Sequence, residues 1–359
     1  MIDWTKSMQH TYEHYIVDPA TWKDLTQITT VKSSSIERDS EAETLGSASF
    51  DISESVGECY IRTYLIAIQN GVSEKIPLGT HLIQTPSTSF DGKVSSYSLD
   101  AYTPLLELKD VQMPIGYYIP KDTNIMDRAY ALIRETSRAP VVRTNNATTL
   151  NQDFIADISD SYLLFTRDLI ANAEYHLDLD EYGRILFAPK QDTASLNPVW
   201  TYTDDNSSIL YPDISVDRDL YGIPNVVEVL YSGTTKSKPN GKAFLYSKVV
   251  NDDPNSPVST VNRGRQITHR ITNPDLLGGI DQERIDRYAK QALRDLSTLE
   301  YTISYTHGYC PVRVGDCVML NYTRAGFNNV KARVISQSIK CEPGCPVTEK
   351  AIFTTNLWG

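Results

Sequence analysis

Apolar and polar residues alternate along the first third of the chain in the manner of β-strands. Residues 47–52 place serine and aspartate between alanine, phenylalanine and isoleucine, which is the period of a strand with one buried face. Apolar runs at 60–69, 76–83 and 94–102 predict three more strands. Strands at these intervals predict a meander that folds into a small barrel or sandwich.

Two hairpins in this meander have clear turn signals. Asn70-Gly71 follows the run at 60–69, and Asp91-Gly92 precedes the last run. Asparagine, aspartate and glycine adopt the positive φ angles that tight hairpin turns require. The three runs are therefore predicted to be consecutive antiparallel strands.

The strand at 60–69 carries large side chains on both faces. Three of them form one face: Tyr64, Ile66 and Ile68. Three others form the opposite face: Ile61, Leu65 and Ala67. Either both faces are packed inside this chain, as in a central strand of a sandwich, or one is packed against another chain. The face with Tyr64 is our candidate subunit interface.

The middle of the chain predicts an α+β insert. Asp122-Thr123 is predicted to cap a first helix, and a second helix is predicted near 160–172. The first helix has an apolar face of five residues: Ile125, Met126, Ala129, Leu132 and Ile133. A hairpin over 174–188 follows, closed by the turn at 180–183. Two helices on a small sheet make the insert.

The last part of the chain predicts a second set of strands, clearest at 225–231 and 316–322. It also holds a polar loop at 232–265 and a helix at 281–298, capped by Asp281. The fold class is therefore mainly β, with two small β-barrel domains and a helix-containing insert. Three domains are predicted: 1–118, with an amino-terminal segment and the first barrel, 119–205, the insert, and 206–359, the second barrel.

Composition narrows the class of function. The net charge of −11 argues against a protein that grips nucleic acid by its phosphates, although an acidic channel would let DNA slide past. The amino terminus has no signal-peptide pattern and no run of 18 apolar residues occurs, so we expect synthesis and folding in the cytoplasm. Five cysteines, an odd number, fit a reducing origin.

Short motifs suggest sites that we weigh against plainer explanations. His10 to His14 matches H-x-x-E-H, but Pro19 follows closely and we treat the match as chance. Asp178 resembles the start of a calcium loop whose later ligand positions are wrong, so a plain turn is predicted. Four cysteines crowd the carboxy-terminal part: Cys310, Cys317, Cys341 and Cys345. Buried free thiols explain them better than a zinc or iron–sulfur site.

A basic cluster and an aromatic amino terminus carry two further expectations. Arg263, Arg265 and Arg270 form a compact basic cluster, for which a solvated loop or an inter-subunit salt bridge is a better explanation than a phosphate site. The aromatic residues of 1–24 are expected to lie across a neighbouring surface. Because no nucleophile elbow, P-loop or dinucleotide fingerprint occurs, we predict no enzymatic activity, no catalytic residues, no metal and no cofactor.

The order of these elements resembles the baseplate or tail hub proteins of tailed bacteriophages. The shared features are a strand, Asn-Gly, the Ile-Pro-Leu-Gly-Thr at 76–80, a strand, Asp-Gly and a strand. The hairpin at 174–188, the Asn-x-Val-x-Val at 225–229 and the Pro-x-x-x-Gly-Asp-x-Val at 311–318 are similar to later parts of that family. The resemblance covers most of the chain. The polar loop that begins at Ser232 is matched least.

The resemblance implies a structural virion protein assembled in the host cytoplasm. It implies a homotrimer in which each subunit gives two barrels, so that a pseudo-six-fold ring connects the six-fold tail tube to a three-fold spike or tip protein. DNA would pass through this ring after opening, and other baseplate proteins would bind around it. The alternative is a β-rich cell-wall carbohydrate-binding or hydrolytic tail-tip protein, which would need a groove with stacked aromatic residues and a carboxylate pair.

Overall fold

The computed structural model describes residues 2–90, 92–93, 95–191, 193–218, 220–232, 244–274 and 281–357. The chain divides into two compact units. Unit 1 comprises Met1–Ile214 and Ser304–Ala351, and unit 2 comprises Ser215–Ile303 and Ile352–Gly359. The domain boundaries at 118 and 205 are not boundaries of these units and stay a prediction.

The strands and α-helices of the described residues follow this order: β1 (Gln9–Val17), β2 (Asp24–Ile28), β3 (Val31–Asp39), β4 (Gly46–Ile52), β5 (Tyr60–Gln69), β6 (Val72–Phe90), β7 (Ser95–Tyr102), α1 (Leu106–Asp110), β8 (Tyr118–Ile119), α2 (Ile125–Thr136), β9 (Phe154–Ile155), α3 (Tyr162–Ala171), β10 (Tyr175–Leu179), β11 (Ile185–Pro189), β12 (Trp200–Thr203), β13 (Leu210–Arg218), β14 (Val226–Tyr231), β15 (Leu245–Val250), α4 (Thr260–Arg263), β16 (Thr268–Thr272), α5 (Gln282–Leu296), β17 (Thr298–Gly308), β18 (Cys317–Asn321), β19 (Val330–Lys340) and β20 (Pro346–Asn356). The chain is mainly β, as predicted.

The largest sheet has the strand order β13-β17-β20-β19-β3-β4-β7-β6-β5-β1-β2, with β18 joined to β19 and β12 to β18. Nearly all of its described ladders are antiparallel, and β12 with β18 is parallel. The order ends at β13 and at β2, so the strands that the structure describes form no closed barrel by their hydrogen bonds.

The three predicted consecutive strands are present as the antiparallel order β5-β6-β7, whereas β4 pairs with β7 and not with β5 as a simple meander would require. Strand β5 has the predicted bounds, and the turn after it has Asn70 at φ 50° and Gly71 at φ 80°. Strand β6 is longer than predicted and pairs with β7. Asp91 and Val94 lie outside the described residues, so the turn predicted at Asp91-Gly92 is not described.

The amino-terminal segment corrects one expectation. It does not lie as a whole across a neighbouring surface, because β1 pairs with β5 along its full length, from Gln9 opposite Ile68 to Val17 opposite Tyr60. Aromatic residues of this segment pack inside the chain, such as Trp22 against Tyr60 with ring centroids 4.8 Å apart.

Unit 1 contains more than one hydrophobic core. One is formed inside the meander by side chains of β2 to β7, β19 and β20. Another joins α1, α2 and α3 to the β10–β11 hairpin, which is the predicted α+β insert. The predicted apolar face of α2 is buried. Its cap is Asn124 rather than Asp122-Thr123, since the Asn124 side chain accepts from the backbone N–H of Asp127 at 2.9 Å.

Unit 2 contains a three-stranded sheet in the order β15-β14-β16. Helix α5 packs on one face of this sheet through Ile285, Ala289 and Leu293. As predicted, Asp281 caps α5, accepting from the N–H of Arg284 at 2.9 Å. Of the polar loop predicted at 232–265, residues 233–243 lie outside the described residues. No helix in the described part of the chain is long and apolar enough to cross a membrane.

Candidate functional site

The three predicted interface residues lie along one face of β5. Tyr64 is buried, whereas Ile66 and Ile68 are half-buried. On the opposite face, Ile61 and Leu65 belong to the core of the meander. The candidate face is therefore covered by this chain at Tyr64 and remains open at the two isoleucines.

Polar and aromatic side chains of unit 1 cover Tyr64. Its hydroxyl donates to Asp24 Oδ2 at 2.7 Å, and its ring meets the ring of Tyr15 edge-on at 5.9 Å. Lys75 Nζ lies 4.2 Å from the centroids of both rings and 2.7 Å from Glu13 Oε2. Burial and the Asp24 carboxylate raise the pKa of Tyr64, so the hydroxyl stays a neutral donor at neutral pH.

Arg62, two residues earlier on the same face, is a buried charge. Its guanidinium Nη1 lies 2.7 Å from Asp24 Oδ1, and its Nε donates to Thr80 Oγ1 at 2.9 Å. Its Nη2 donates to the carbonyls of Tyr182 at 3.1 Å and Trp22 at 3.3 Å. Arg62 thus ties the sheet to the turn between β10 and β11.

That turn is anchored by further contacts. Glu181 Oε1 lies 2.7 Å from Arg313 Nε and 3.7 Å from Arg38 Nη1. Gly183 has φ +73°, and a Cβ at this position would lie 2.8 Å from Thr80 Cβ. Sequence reasoning predicted a plain turn here and missed that it docks the insert onto the sheet. The sequence of the turn, with Glu181 two residues before Gly183, does not indicate contacts with arginines that are distant along the chain.

The two motifs that resemble metal-binding sequences, at His10 to His14 and at Asp178, do not form a metal site. Asp178 lies 3.9 Å from Arg313, and Asp180 accepts from the backbone N–H of Arg184. His10 and His14 lie on strand β1, where positions four apart are separated by about 13 Å, too far for one ion. Among the described residues, no group of three or more His, Cys, Asp or Glu side chains could hold a metal ion.

The cysteines are free thiols, and all but two are buried. Burial raises the pKa of Cys341 to about 11 and that of Cys345 to about 12. These two thiols therefore stay protonated at neutral pH, which disfavours nucleophilic attack. Cys345 packs in the meander core as a small apolar residue.

A buried acid–base cluster was missed by sequence reasoning. Glu349 and His307 are fully buried in unit 1, with Oε1 3.3 Å from Nε2. Cys310 Sγ lies 3.8 Å from His307 Nδ1, which also lies 2.6 Å from the Gly308 carbonyl. Cysteine, histidine and glutamate in contact resemble a nucleophilic triad. Here Cys310 is only 1% exposed, so a substrate cannot reach it, and the cluster is a core feature.

A groove of about 770 Å³ lies in unit 1 beside the docked turn. Charged side chains line it, including Arg38 and Arg313, each of which forms an ion pair with Glu181. Tyr175 is the one Tyr, Phe or Trp among its lining residues in the described part of the chain. The groove thus lacks the stacked aromatic platform that the carbohydrate alternative requires.

Two of the three arginines in the basic cluster of unit 2 form contacts within their own chain. Arg263 donates to the carbonyls of Leu220 and Ile223, and Arg270 Nε lies 2.7 Å from Glu228 Oε2. These contacts give Arg263 and Arg270 structural roles within unit 2.

Comparisons with known proteins rest on structure. No protein-family model matches the sequence, and no curated protein matches it. The tail protein from Neisseria meningitidis MC58 has a similar structure, with a TM-score of 0.60, 13% identity, and coverage of 95% of this chain and 96% of that one. The 43 kDa tail protein of prophage MuSo2 from Shewanella oneidensis gives a TM-score of 0.57 and 11% identity, covering 95% and 98%.

A secretion protein is also similar. The E. coli c3393 protein, a type VI secretion component with structural similarity to the T4 tail proteins gp27 and gp5, gives a TM-score of 0.51 at 9% identity. The match covers 96% of this chain and 78% of that one. The resemblance seen in the sequence is confirmed in three dimensions: the chain has the fold of bacteriophage tail proteins.

Proposed function

We propose that this protein is a non-enzymatic structural component of a phage tail or baseplate. The observation that carries the proposal is the end-to-end match to two tail proteins, which leaves almost no part of either chain unmatched. A shared fold alone permits other functions. The inaccessible Cys310 and the groove without stacked aromatic residues favour the structural role over the carbohydrate-binding or hydrolytic alternative.

Within the tail, we propose the role of hub. Three chains, each contributing two barrels, form a ring of pseudo-six-fold symmetry that joins the tail tube to a spike or tip protein, with DNA passing through the opened channel. The net charge of −11 suits a channel that DNA does not bind. Other baseplate proteins bind around the ring, which is assembled in the host cytoplasm and carried in the virion.

The part of the large sheet between β3 and β1 is curled, which supports the proposed first barrel. Strands β1 and β3 lie five places apart in the strand order, yet His14 Nε2 on β1 lies 3.0 Å from Ser34 Oγ on β3. Burial lowers the pKa of His14 to about 4, so this contact is between neutral groups at neutral pH. Side chains from both ends of the meander thus meet around one core.

The face of β5 with Tyr64, Ile66 and Ile68 is the proposed subunit contact. We expect Ile66 and Ile68 to contact the neighbouring chain, while Tyr64, on the same face, is covered by side chains of its own chain. A permanent interface of this kind buries more than about 2,000 Å² and is apolar at its centre.

Replacing Ile66 and Ile68 together by glutamate is expected to convert the trimer into a soluble, folded monomer. Burying two unpaired carboxylates at the centre of an interface would weaken assembly by several kcal/mol. Because both positions are only half-buried in the isolated chain, the glutamates can reach water there and the monomer should stay folded. Light scattering gives the mass, and thermal unfolding reports the fold.

A double replacement of Val142 and Val199 by glutamate is the matched control, because both valines are exposed and belong to no proposed contact. It should leave the trimer intact. A trimer that survives the Ile66 and Ile68 changes would refute this interface, and aggregation or unfolding would show that the face is core.

A further inference from the structure

The insert of unit 1 exposes four large apolar side chains on two neighbouring segments. Ile115 is 89% exposed, Ile158 86%, Ile155 68% and Tyr118 58%. We call these four residues the isoleucine surface. Exposing such side chains contributes nothing to the stability of this chain, and a contiguous apolar patch typically marks a binding site.

Backbone hydrogen bonds bring the four residues together. The N–H of Met113 donates to the Asp160 carbonyl at 2.8 Å, and the N–H of Ala156 donates to the Tyr117 carbonyl at 3.0 Å. Segments 111–119 and 154–162 therefore run antiparallel in a single register.

This register places the isoleucines opposite each other. Tyr118 pairs directly with Ile155 in the β8–β9 ladder. Continuing the register past the ladder sets Ile115 opposite Ile158, each within a turn of its own segment. The four exposed side chains therefore lie on two adjacent segments that are held together by backbone hydrogen bonds.

A packed core holds this surface in place. The inward residues of the ladder are Ile119, which is buried, and Phe154, whose ring lies 4.9 Å from that of Phe165. Tyr117 also packs on Phe165 at 5.5 Å, and its hydroxyl accepts from Arg128 Nε at 2.8 Å. The exposed residues are thus fixed before any partner binds, which lowers the entropy cost of binding.

The charge around the surface decides the kind of partner. Three aspartates in residues 110–119 and 153–162 are exposed, namely Asp110, Asp153 and Asp157, and these two segments contain no lysine or arginine. Two copies meeting through the same surface would oppose aspartates to aspartates, which is unfavourable. The arginines at 263 and 270 of a second copy are committed to their own chain.

We propose that the isoleucine surface binds a separate protein that presents an apolar surface rimmed by lysine or arginine. Apolar contact supplies the affinity, and the aspartates select a basic rim and speed association. The site is distinct from the β5 face and does not depend on the hub role.

A pair of defined peptides tests this site on the full chain. The first is a fluorescent amphipathic 14-residue helix of leucine and lysine, and the second has glutamate in place of every lysine. Fluorescence anisotropy should show saturable binding of the lysine peptide and at least about tenfold weaker binding of the glutamate peptide.

Variants locate the binding on the molecule. Replacing Ile115 and Ile158 by serine should weaken binding of the lysine peptide about tenfold or more, without changing the melting temperature, because both side chains are exposed. The control replaces Leu25 and Val72 by serine. Both are exposed on strands β2 and β6, outside the two segments, and their replacement should change binding less than about twofold.

Three outcomes would overturn the proposal. One is equal loss of binding in the control variant, which would indicate non-specific attraction to an acidic protein. Another is equal affinity for the two peptides. The third is a fall in the solution mass of the chain when Ile115 and Ile158 are replaced, which would make the surface a contact between copies.

Discussion

Replacing Glu349 by alanine is expected to lower the free energy of unfolding of unit 1 by about 3–5 kcal/mol. The reason is that the change leaves a fully buried imidazolium without its counter-charge. Urea unfolding followed by tyrosine and tryptophan fluorescence measures the loss. A loss below about 1 kcal/mol would show that the pair is not charged.

The hydrogen bonds of this cluster indicate that Glu349 is ionised. Its two oxygens accept from Tyr305 at 2.8 Å, Tyr202 at 3.1 Å and Gln337 at 2.6 Å, as well as from His307. The Gly308 carbonyl requires a proton on His307 Nδ1, and the carboxylate favours another on Nε2. The geometry is that of an imidazolium and a carboxylate.

The same pair predicts a pH dependence of stability. Burial lowers the pKa of His307, but the charge and hydrogen bonds of Glu349 and Cys310 outweigh burial and raise it to about 10. Burial raises the pKa of Glu349, but the His307 charge and its hydrogen-bond donors hold it below the ordinary value.

The His307 contribution is complete below its ordinary pKa of 6.5 and is lost as pH rises through about 10. The Glu349 contribution is complete above its ordinary pKa of 4.5 and is lost as pH falls. The stability difference between the wild type and Glu349→Gln should therefore be largest at about pH 4.5–6.5. A difference that grows towards pH 10 would contradict the assignment.

Replacing Arg62 by alanine is expected to lower the free energy of unfolding by about 3 kcal/mol or more and to loosen the β10–β11 turn. Arg62 is the shared partner of the Asp24 carboxylate and of two carbonyls, one of them in that turn. Removing it leaves these carbonyls and the Thr80 hydroxyl without their buried donor, and Asp24 without its counter-charge. Urea unfolding gives the cost, and hydrogen exchange at residues 180–183 reports the loosening.

Arg143→Ala is the matched control, because its ion pair with Asp127 is exposed on both sides. Exposed pairs contribute about 0–1 kcal/mol, so the control should unfold almost like the wild type. Equal costs for the two variants would show that Arg62 does not act through its buried contacts.

Elements that are determined by neighbouring residues in the sequence could be predicted from the local pattern of apolar and polar residues. The bounds of β5, the Asn70-Gly71 turn and the buried face of α2 follow from alternation, turn chemistry and helical period. Strand β1 was missed because most of its residues on both faces are half-buried or exposed, which blurs the period of two.

The contacts that organise the molecule are long-range, and no local pattern encodes them. Glu349 meets His307 and Tyr202 across large sequence separations. One signal was available: Arg62 interrupts an otherwise apolar run, and a charge in a buried strand must find a partner. Its partners could not be identified without the fold.

The mass of the protein in solution, measured by light scattering with negative-stain images of the same sample, tests the central claim most directly. The proposed hub predicts three times the 40.3 kDa chain mass and rings with a central hole. A monomer or a dimer at every concentration measured, with no rings, would contradict it.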